Sequence, residues 1–302
     1  MPLPLRLCCP ALLLAAICCL NAPAQTAPSI SPAIVPAVAP IAQPVAPLAI
    51  DQKTLLASAR HAYYLPLERG VQGFSCAVAI DWQPILERAT GKRVPDHDPT
   101  LTQLASAKVA VTDDLLKGAT VTSTFPDAKF QPLPSSSVGV KQKILDTMIS
   151  ASLTGWNPFL TDRILPMEAT RYHFEHAGAG YRLSLEGGSF FSILDLTADL
   201  RITHGESHLN GTVTDFTPQF DPSSHGWLLT SLETITEPDP SSSASSAAAP
   251  TSGPDKAGFT YSYQFVGDML VPKRIIVQVG DGPPTPFELR DCTLTRTNQA
   301  QP

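Results

Sequence analysis

The sequence has little charge and few aromatics: 16 % of its 302 residues are Asp, Glu, Lys or Arg, and 7 % are Phe, Trp or Tyr. It contains no Lys/Arg-rich run, and acids outnumber bases 27 to 21, for a net charge of −6. Nucleic-acid binding needs a basic stripe to neutralise phosphates, so no nucleic-acid partner is expected. No internal repeat is present. Gly70 and Gly73 are not followed by the Lys-Ser/Thr of a phosphate loop. Gly187-Gly188-Ser189-Phe190 lacks the closing glycine of a nucleophile elbow. These absences predict no catalytic site, no cofactor and no enzyme.

Proline, by contrast, is abundant, at 30 residues. Residues 1–24 read as a signal peptide: Arg6 supplies a positive start, Leu7 to Leu20 is apolar, and Ala22-Pro23-Ala24 offers small residues for cleavage. The apolar run falls short of the about 20 residues of a membrane-spanning helix. The expected location is therefore the periplasm or cell envelope, with a mature chain beginning near Gln25. Two alternatives keep the chain on a membrane: an uncleaved anchor, or a lipid on Cys18 or Cys19. Ile17 before Cys18 fits a lipoprotein signal less well than a small residue. Losing residues 1–24 removes Arg6 and no acid, which moves the net charge from −6 to −7.

Residues 25–50 alternate Pro with Ala, Val and Ile and read as a disordered, extended tether. A Ser/Ala/Pro-rich stretch at about 237–257 reads as a long disordered loop between strands, and residues 297–302 as a tail. Of the six cysteines, Cys8, Cys9, Cys18 and Cys19 fall in the signal, leaving Cys76 and Cys292. An even pair in an exported chain suggests one disulfide; the alternative is two unrelated buried thiols. Closing so long a loop contributes at most roughly 5 kcal/mol.

The folded region, 51–296, reads as one α+β domain. Asp51 caps a helix to Tyr64, with Leu55, Leu56, Ala59, Ala62 and Tyr63 as its apolar stripe. A strand from Gly73 to Trp82 follows, with Phe74, Cys76, Val78, Ile80 and Trp82 on one face. The block at about 83–165 is expected to be a helical insertion or lid. It has short helices at Pro84–Ala89 and Asp98–Ala105, an alternating stretch at Ala119–Phe125, and a long helix at Gly139–Leu153 ended by Gly155-Trp156-Asn157-Pro158. Asp113-Asp114 read as turn-capping acids. From Thr170 the chain alternates in strand period: Tyr172 and Phe174, then Tyr181, Leu183 and Leu185, then Leu194, Leu196, Ala198, Leu200 and Ile202, and onward to a last strand at Phe287–Thr295. Strands joined by short turns predict an antiparallel sheet in chain order. A sheet this long must curl, with the two long helices over its concave side.

Three features then resemble the periplasmic carriers of the lipoprotein-localisation system (LolA-like). These are the helix Asp51–Tyr64 feeding strand Gly73–Trp82, the long antiparallel run, and the late hairpin Tyr261-Ser262-Tyr263-Gln264-Phe265-Val266-Gly267-Asp268-Met269-Leu270-Val271-Pro272-Lys273-Arg274-Ile275. The resemblance covers residues 51–82 and 170–295. It implies an unclosed half β-barrel with helices as a lid, holding acyl chains in an apolar cavity. Two features depart from the family: the extra block at 83–165, and the lid arginine, which matches neither Arg60 nor Arg69.

On this reading Phe74, Val78, Ile80, Trp82, Tyr172, Phe174, Leu183, Leu194 and Leu196 line the cavity, and the partner is lipid or an acylated protein. One alternative is a structural or interaction module at the outer membrane with a filled core. A weaker one is a metal-assisted hydrolase. His204-Gly205-Glu206-Ser207-His208 reads as a hairpin turn that brings two rings together, but two ligands fall short of the three or four a metal needs, so no metal is expected. In His173-Phe174-Glu175-His176, strand period puts His173 and Glu175 on one face and His176 on the other.

Overall fold

Twelve strands form one antiparallel sheet in the order β3-β2-β1-β12-β11-β10-β9-β8-β7-β6-β5-β4. The computed structural model describes residues 51–125, 137–161, 163–165, 171–187, 190–209, 211–239 and 255–297. The expected signal (1–24), the tether (25–50), residues 240–254 of the loop and residues 298–302 lie outside them. The strands are β1 Val71–Ile80, β2 Lys108–Asp114, β3 Gly118–Thr124, β4 Arg171–Ala177, β5 Gly180–Gly187, β6 Phe190–Leu196, β7 Ile202–Leu209, β8 Thr212–Ser223, β9 Gly226–Pro238, β10 Asp255–Val266, β11 Met269–Val279 and β12 Thr285–Arg296. Among the described residues four α-helices accompany them: α1 Gln52–His61, α2 Trp82–Thr90, α3 Pro99–Ala105 and α4 Ser137–Leu160. The architecture is therefore mostly sheet, with few helices.

The strand order is chain order cut open between β3 and β4. Those two strands are the sheet's edges, and α4 is the helix that connects them in sequence. The first and last strands meet inside the sheet, where β1 pairs with β12 from Val71↔Arg296 to Ile80↔Phe287. Cys76 of β1 and Cys292 of β12 are disulfide-bonded, 216 residues apart in sequence, with an S–S distance of 2.06 Å. Between Ser75 and Ala77 the pairing slips, and Asp291 takes φ +51° beside it. That extra residue brings Cys292 opposite Cys76.

Several expectations need correction. Trp82 does not end β1: it opens α2 and is buried there. The block at 83–165 holds three helices but also β2 and β3, which extend the sheet from β1. In β2 the inward residues are Val109, Val111 and Asp113; a carboxylate at the third position hides the apolar alternation. Pro158 does not end α4, which runs on to Leu160. Proline removes one helix hydrogen bond, and the packing of Trp156 and Phe159 on the sheet offsets that loss. Residues 194–202 are not one strand, because a turn with Leu200 at φ +64° separates β6 from β7. Finally, β8 forms despite Pro218 and Pro222, which weigh against a central strand.

The core lies between one face of the sheet and the helices. Asp51 caps α1 as its sequence suggests, accepting from Thr54 N. Leu55, Leu56 and Ala59 are the buried stripe of α1. From α4, Leu145, Ile149, Leu153, Trp156, Phe159 and Leu160 point into the same cluster. Gly205 of β7 marks how tightly that face packs: a Cβ there would stand 2.0 Å from the Phe216 ring. No side chain larger than hydrogen fits beneath that ring.

Candidate functional site

The nine residues expected to line a cavity are all on or beside the covered face, in two groups. Phe74, Val78 and Ile80 belong to β1, and Trp82 follows at the start of α2. Phe74 meets the Trp156 indole edge-on at 5.9 Å. The second group sits at the far end of the sheet. Phe174, Leu183 and Leu194 form one cross-strand row over β4, β5 and β6, each 0 % exposed. Leu196 is buried beside them, and Tyr172 packs edge-on to Phe174 at 6.1 Å. Both groups belong to one continuous apolar cluster.

The helices meet this face through two different seams. At the α1 seam, backbone does the holding. Trp227 N donates to Ala62 O at 2.7 Å, and Tyr64 N donates to Trp227 O at 3.0 Å. The Tyr63 hydroxyl donates to Leu200 O at 3.0 Å and accepts from Ile202 N at 2.7 Å. The Tyr64 hydroxyl accepts from Leu270 N at 2.8 Å and donates to the Met269 sulfur at 3.6 Å. Burial pushes both phenols above their usual range, Tyr63 the further, so they remain neutral donors. Gln52 at the other end of α1 accepts from Phe174 N on edge strand β4 at 3.4 Å.

At the α4 seam, side-chain pairs are added to bonds with backbone carbonyls. Trp156 Nε1 donates to the Tyr263 hydroxyl at 2.9 Å, and that hydroxyl donates to Leu229 O. The Tyr261 hydroxyl donates to Ser152 O at 2.8 Å. Phe159 packs edge-on against Phe216 and Phe220. Two carboxylates also lie in this seam. Asp146 Oδ1 accepts from Ser123 Oγ at 2.9 Å and Gln142 Nε2 at 2.8 Å, and burial raises its pKa. Asp113 Oδ1 accepts from Asn157 Nδ2 at 2.9 Å. Asp113 is only 1 % exposed, and its desolvation drives the pKa from 3.8 up to about 7. Three buried oxygens of this seam have no hydrogen-bond partner among the described residues: Asp113 Oδ2, Asn157 Oδ1 and Gln142 Oε1.

The reading of Asp113-Asp114 as a capping pair therefore holds for one residue only. Asp114 accepts from Leu116 N and Lys117 N and pairs with the Lys117 ammonium at 3.0 Å. Asp113 faces the core instead. Its signal in the sequence is its place two residues after Val111 in an alternating run, Lys108-Val109-Ala110-Val111-Thr112-Asp113.

The histidines do not converge. His204 and His208 lie along strand β7 rather than at a turn, and Gly205 is small because Phe216 lies on it. His204 sits between Asp195 (3.7 Å) and Asp215 (3.5 Å). His208 sits between Glu206 (2.6 Å) and Asp239 (3.3 Å). The hydrogen bond that His208 donates to Glu206 is the main cause that raises the His208 pKa. Arg182 adds a bidentate pair to Asp195 at 2.7 and 3.1 Å, which lowers the Asp195 pKa. On β4, His173 touches Gln52 at 3.3 Å and His176 stacks on Tyr181 at 5.3 Å. Among the described residues no group of three or more His, Cys, Asp or Glu side chains is placed to hold a metal ion.

Searches of protein families and of curated proteins find no match to this sequence.

Proposed function

We propose that the protein is an exported envelope protein that binds lipid or acyl chains between its sheet and the covering helices, without catalysis, in the manner of the LolA-like carriers it resembles. In this reading the sheet is a half-barrel opened between β3 and β4, with α4 as the lid. Curvature is supported by slipped pairings in β1/β12, β6/β7, β8/β9 and β10/β11, since bulges bend strands. It is also supported by Trp156, whose ring meets Phe74 of β1 and Tyr261 and Tyr263 of β10. Those strands stand three steps apart, about 14 Å in a flat sheet.

The observation that carries the proposal is the polar α4 seam. A lid made only to stay shut would present an apolar face throughout. Here α4 meets the sheet through two buried carboxyl side chains, Asp113 and Asp146, and Gln142 Oε1 has no partner among the described residues. Buried polar atoms without partners cost about 1–3 kcal/mol each and regain water on separation. An acyl chain entering beneath α4 contributes about 0.8 kcal/mol per buried CH₂. Export is supported by the apolar leader and by the disulfide, which persists in oxidising compartments.

A filled-core interaction module is the second reading, favoured by the complete burial of Phe174, Leu183 and Leu194. Native mass spectrometry with organic extraction, on protein purified without detergent, separates the two. Co-purified lipid at fixed stoichiometry, and uptake of a fluorescent fatty acid, is the expected result. A bare polypeptide mass with no uptake would sink the acyl-binding reading in favour of the module.

A further inference from the structure

Asp113 and Asn157 pose a pairing problem that one proton solves. The amide of Asn157 donates from Nδ2 to Asp113 Oδ1 at 2.9 Å. That leaves Asp113 Oδ2 and Asn157 Oδ1, the second oxygen of each group, both buried and both without a partner among the described residues. Two bare oxygens cannot bond to each other. A neutral carboxyl carries an O–H, and donating it to the amide oxygen closes a two-bond ring in which every atom is satisfied.

We propose that Asp113 and Asn157 form a carboxylic acid–amide pair that latches the C-terminal half of α4 to the sheet while Asp113 is neutral, and that loss of its proton releases the latch. In the ionised form neither remaining oxygen has a proton to give the other, and a charge stands in the core with no cation against it among the described residues. The surroundings offer that charge no compensation. β1 brings Gly73 and Phe74 against Asp113, and β3 brings Ala119 beside it. Charge near by consists of Asp114, which is engaged by Lys117, and Arg163, which donates to Leu116 O. On α4 the titratable side chain in the seam is Asp146, held with Ser123 and Gln142. Burial keeps the Asp113 proton in place to about pH 7, within reach of environmental change. The latch concerns how α4 is held, whatever enters beneath it, so it does not depend on the acyl-binding reading.

The test is hydrogen exchange of the α4 amides, with the β5–β6 amides as internal reference, at about pH 5 and about pH 8 and corrected for intrinsic rates. Wild type should lose protection in α4 at the higher pH, by roughly tenfold or more. Asp113→Asn supplies a permanent donor at the same place, so its α4 should stay protected at both pH values. Asp146→Asn should leave the wild-type pH response intact. Equal protection of wild-type α4 at both pH values would overturn the latch. So would a wild-type response in Asp113→Asn, or loss of the response in Asp146→Asn. Should Asp113→Asn fail to fold, infrared spectroscopy of wild type decides. A protonated-carboxyl carbonyl stretch that titrates near pH 7 supports the latch, and its absence overturns it.

Discussion

The same sheet is covered twice, and the two covers are built on different principles. Around α1, contacts run to backbone: Ala62 and Tyr64 pair with Trp227, while Tyr63 and Tyr64 spend their hydroxyls on Leu200, Ile202 and Leu270. Every such bond is neutral, so pH does not touch it. Around α4, side-chain pairs such as Trp156–Tyr263 and Asn157–Asp113 are added to bonds that run to backbone, and two of the groups involved are carboxyls raised by burial. Backbone bonds anchor a helix to a place. Side-chain bonds of this kind hold it conditionally.

The largest effect is expected at the floor of the α4 seam. Replacing Cys76 and Cys292 together by Ser frees β1 from β12, the strands on which Phe74 and Asp113 depend. Urea unfolding should show a loss of about 2–5 kcal/mol, with hydrogen exchange rising in α4 before α1. Exchange rising equally in both would erase the distinction between the covers.

Next in size is the pH response. The folded chain holds the Asp113 proton to about pH 7 against 3.8 for the free group. Stability from this group is complete below about pH 4 and falls as pH rises toward 7, by about 1.4 kcal/mol per unit. Urea midpoints measured across that range should flatten in Asp113→Asn. A variant that kept the wild-type slope would place the titration elsewhere.

Tyr63→Phe sharpens the contrast from the other side. It strips one partner from each of two buried backbone groups, Leu200 O and Ile202 N, and should cost about 1–3 kcal/mol at every pH. Tyr261→Phe removes one bond to Ser152 O and should cost about 1 kcal/mol. Equal losses in thermal unfolding would show that the α1 anchor has no special weight.

The smallest effect belongs to the outer face. Glu206 and Asp239 favour the charged form of His208 and raise its pKa. Its contribution is present below the usual histidine range and is lost as pH rises through the raised value. His208→Gln should therefore lower stability by a few tenths of a kcal/mol near about pH 6 and leave it unchanged at about pH 9, by the same unfolding assay.

What was legible followed from periodicity. α1, β1 and the hairpins β4–β5 and β10–β11 announce themselves through alternation and turn glycines, and the two cysteines that follow residue 24 suggested their own pairing. What was hidden followed from tertiary override. β2 carries an inward Asp, β8 carries two prolines, and α4 passes through Pro158 because Trp156 and Phe159 are anchored on either side of it. Gly205 looks like a turn residue, and only the Phe216 ring above it explains its size. The Asp113–Asn157 pair joins residues 44 positions apart, β2 to α4, and no local pattern links them.

The strand order also makes β12 the joint of the whole sheet. Among the described residues, β1, β2 and β3 are joined to β4–β11 by strand hydrogen bonds only through it. A chain emerging from its N-terminus can zip β4 through β11 as successive hairpins, while β1 waits for a partner made last. Cys76 likewise waits 216 residues for Cys292, and such distant pairings fold slowly. A truncation that removed the final 12-residue strand would therefore do more than trim an end. It would divide one sheet into two fragments, each with a newly bare edge and an exposed apolar face.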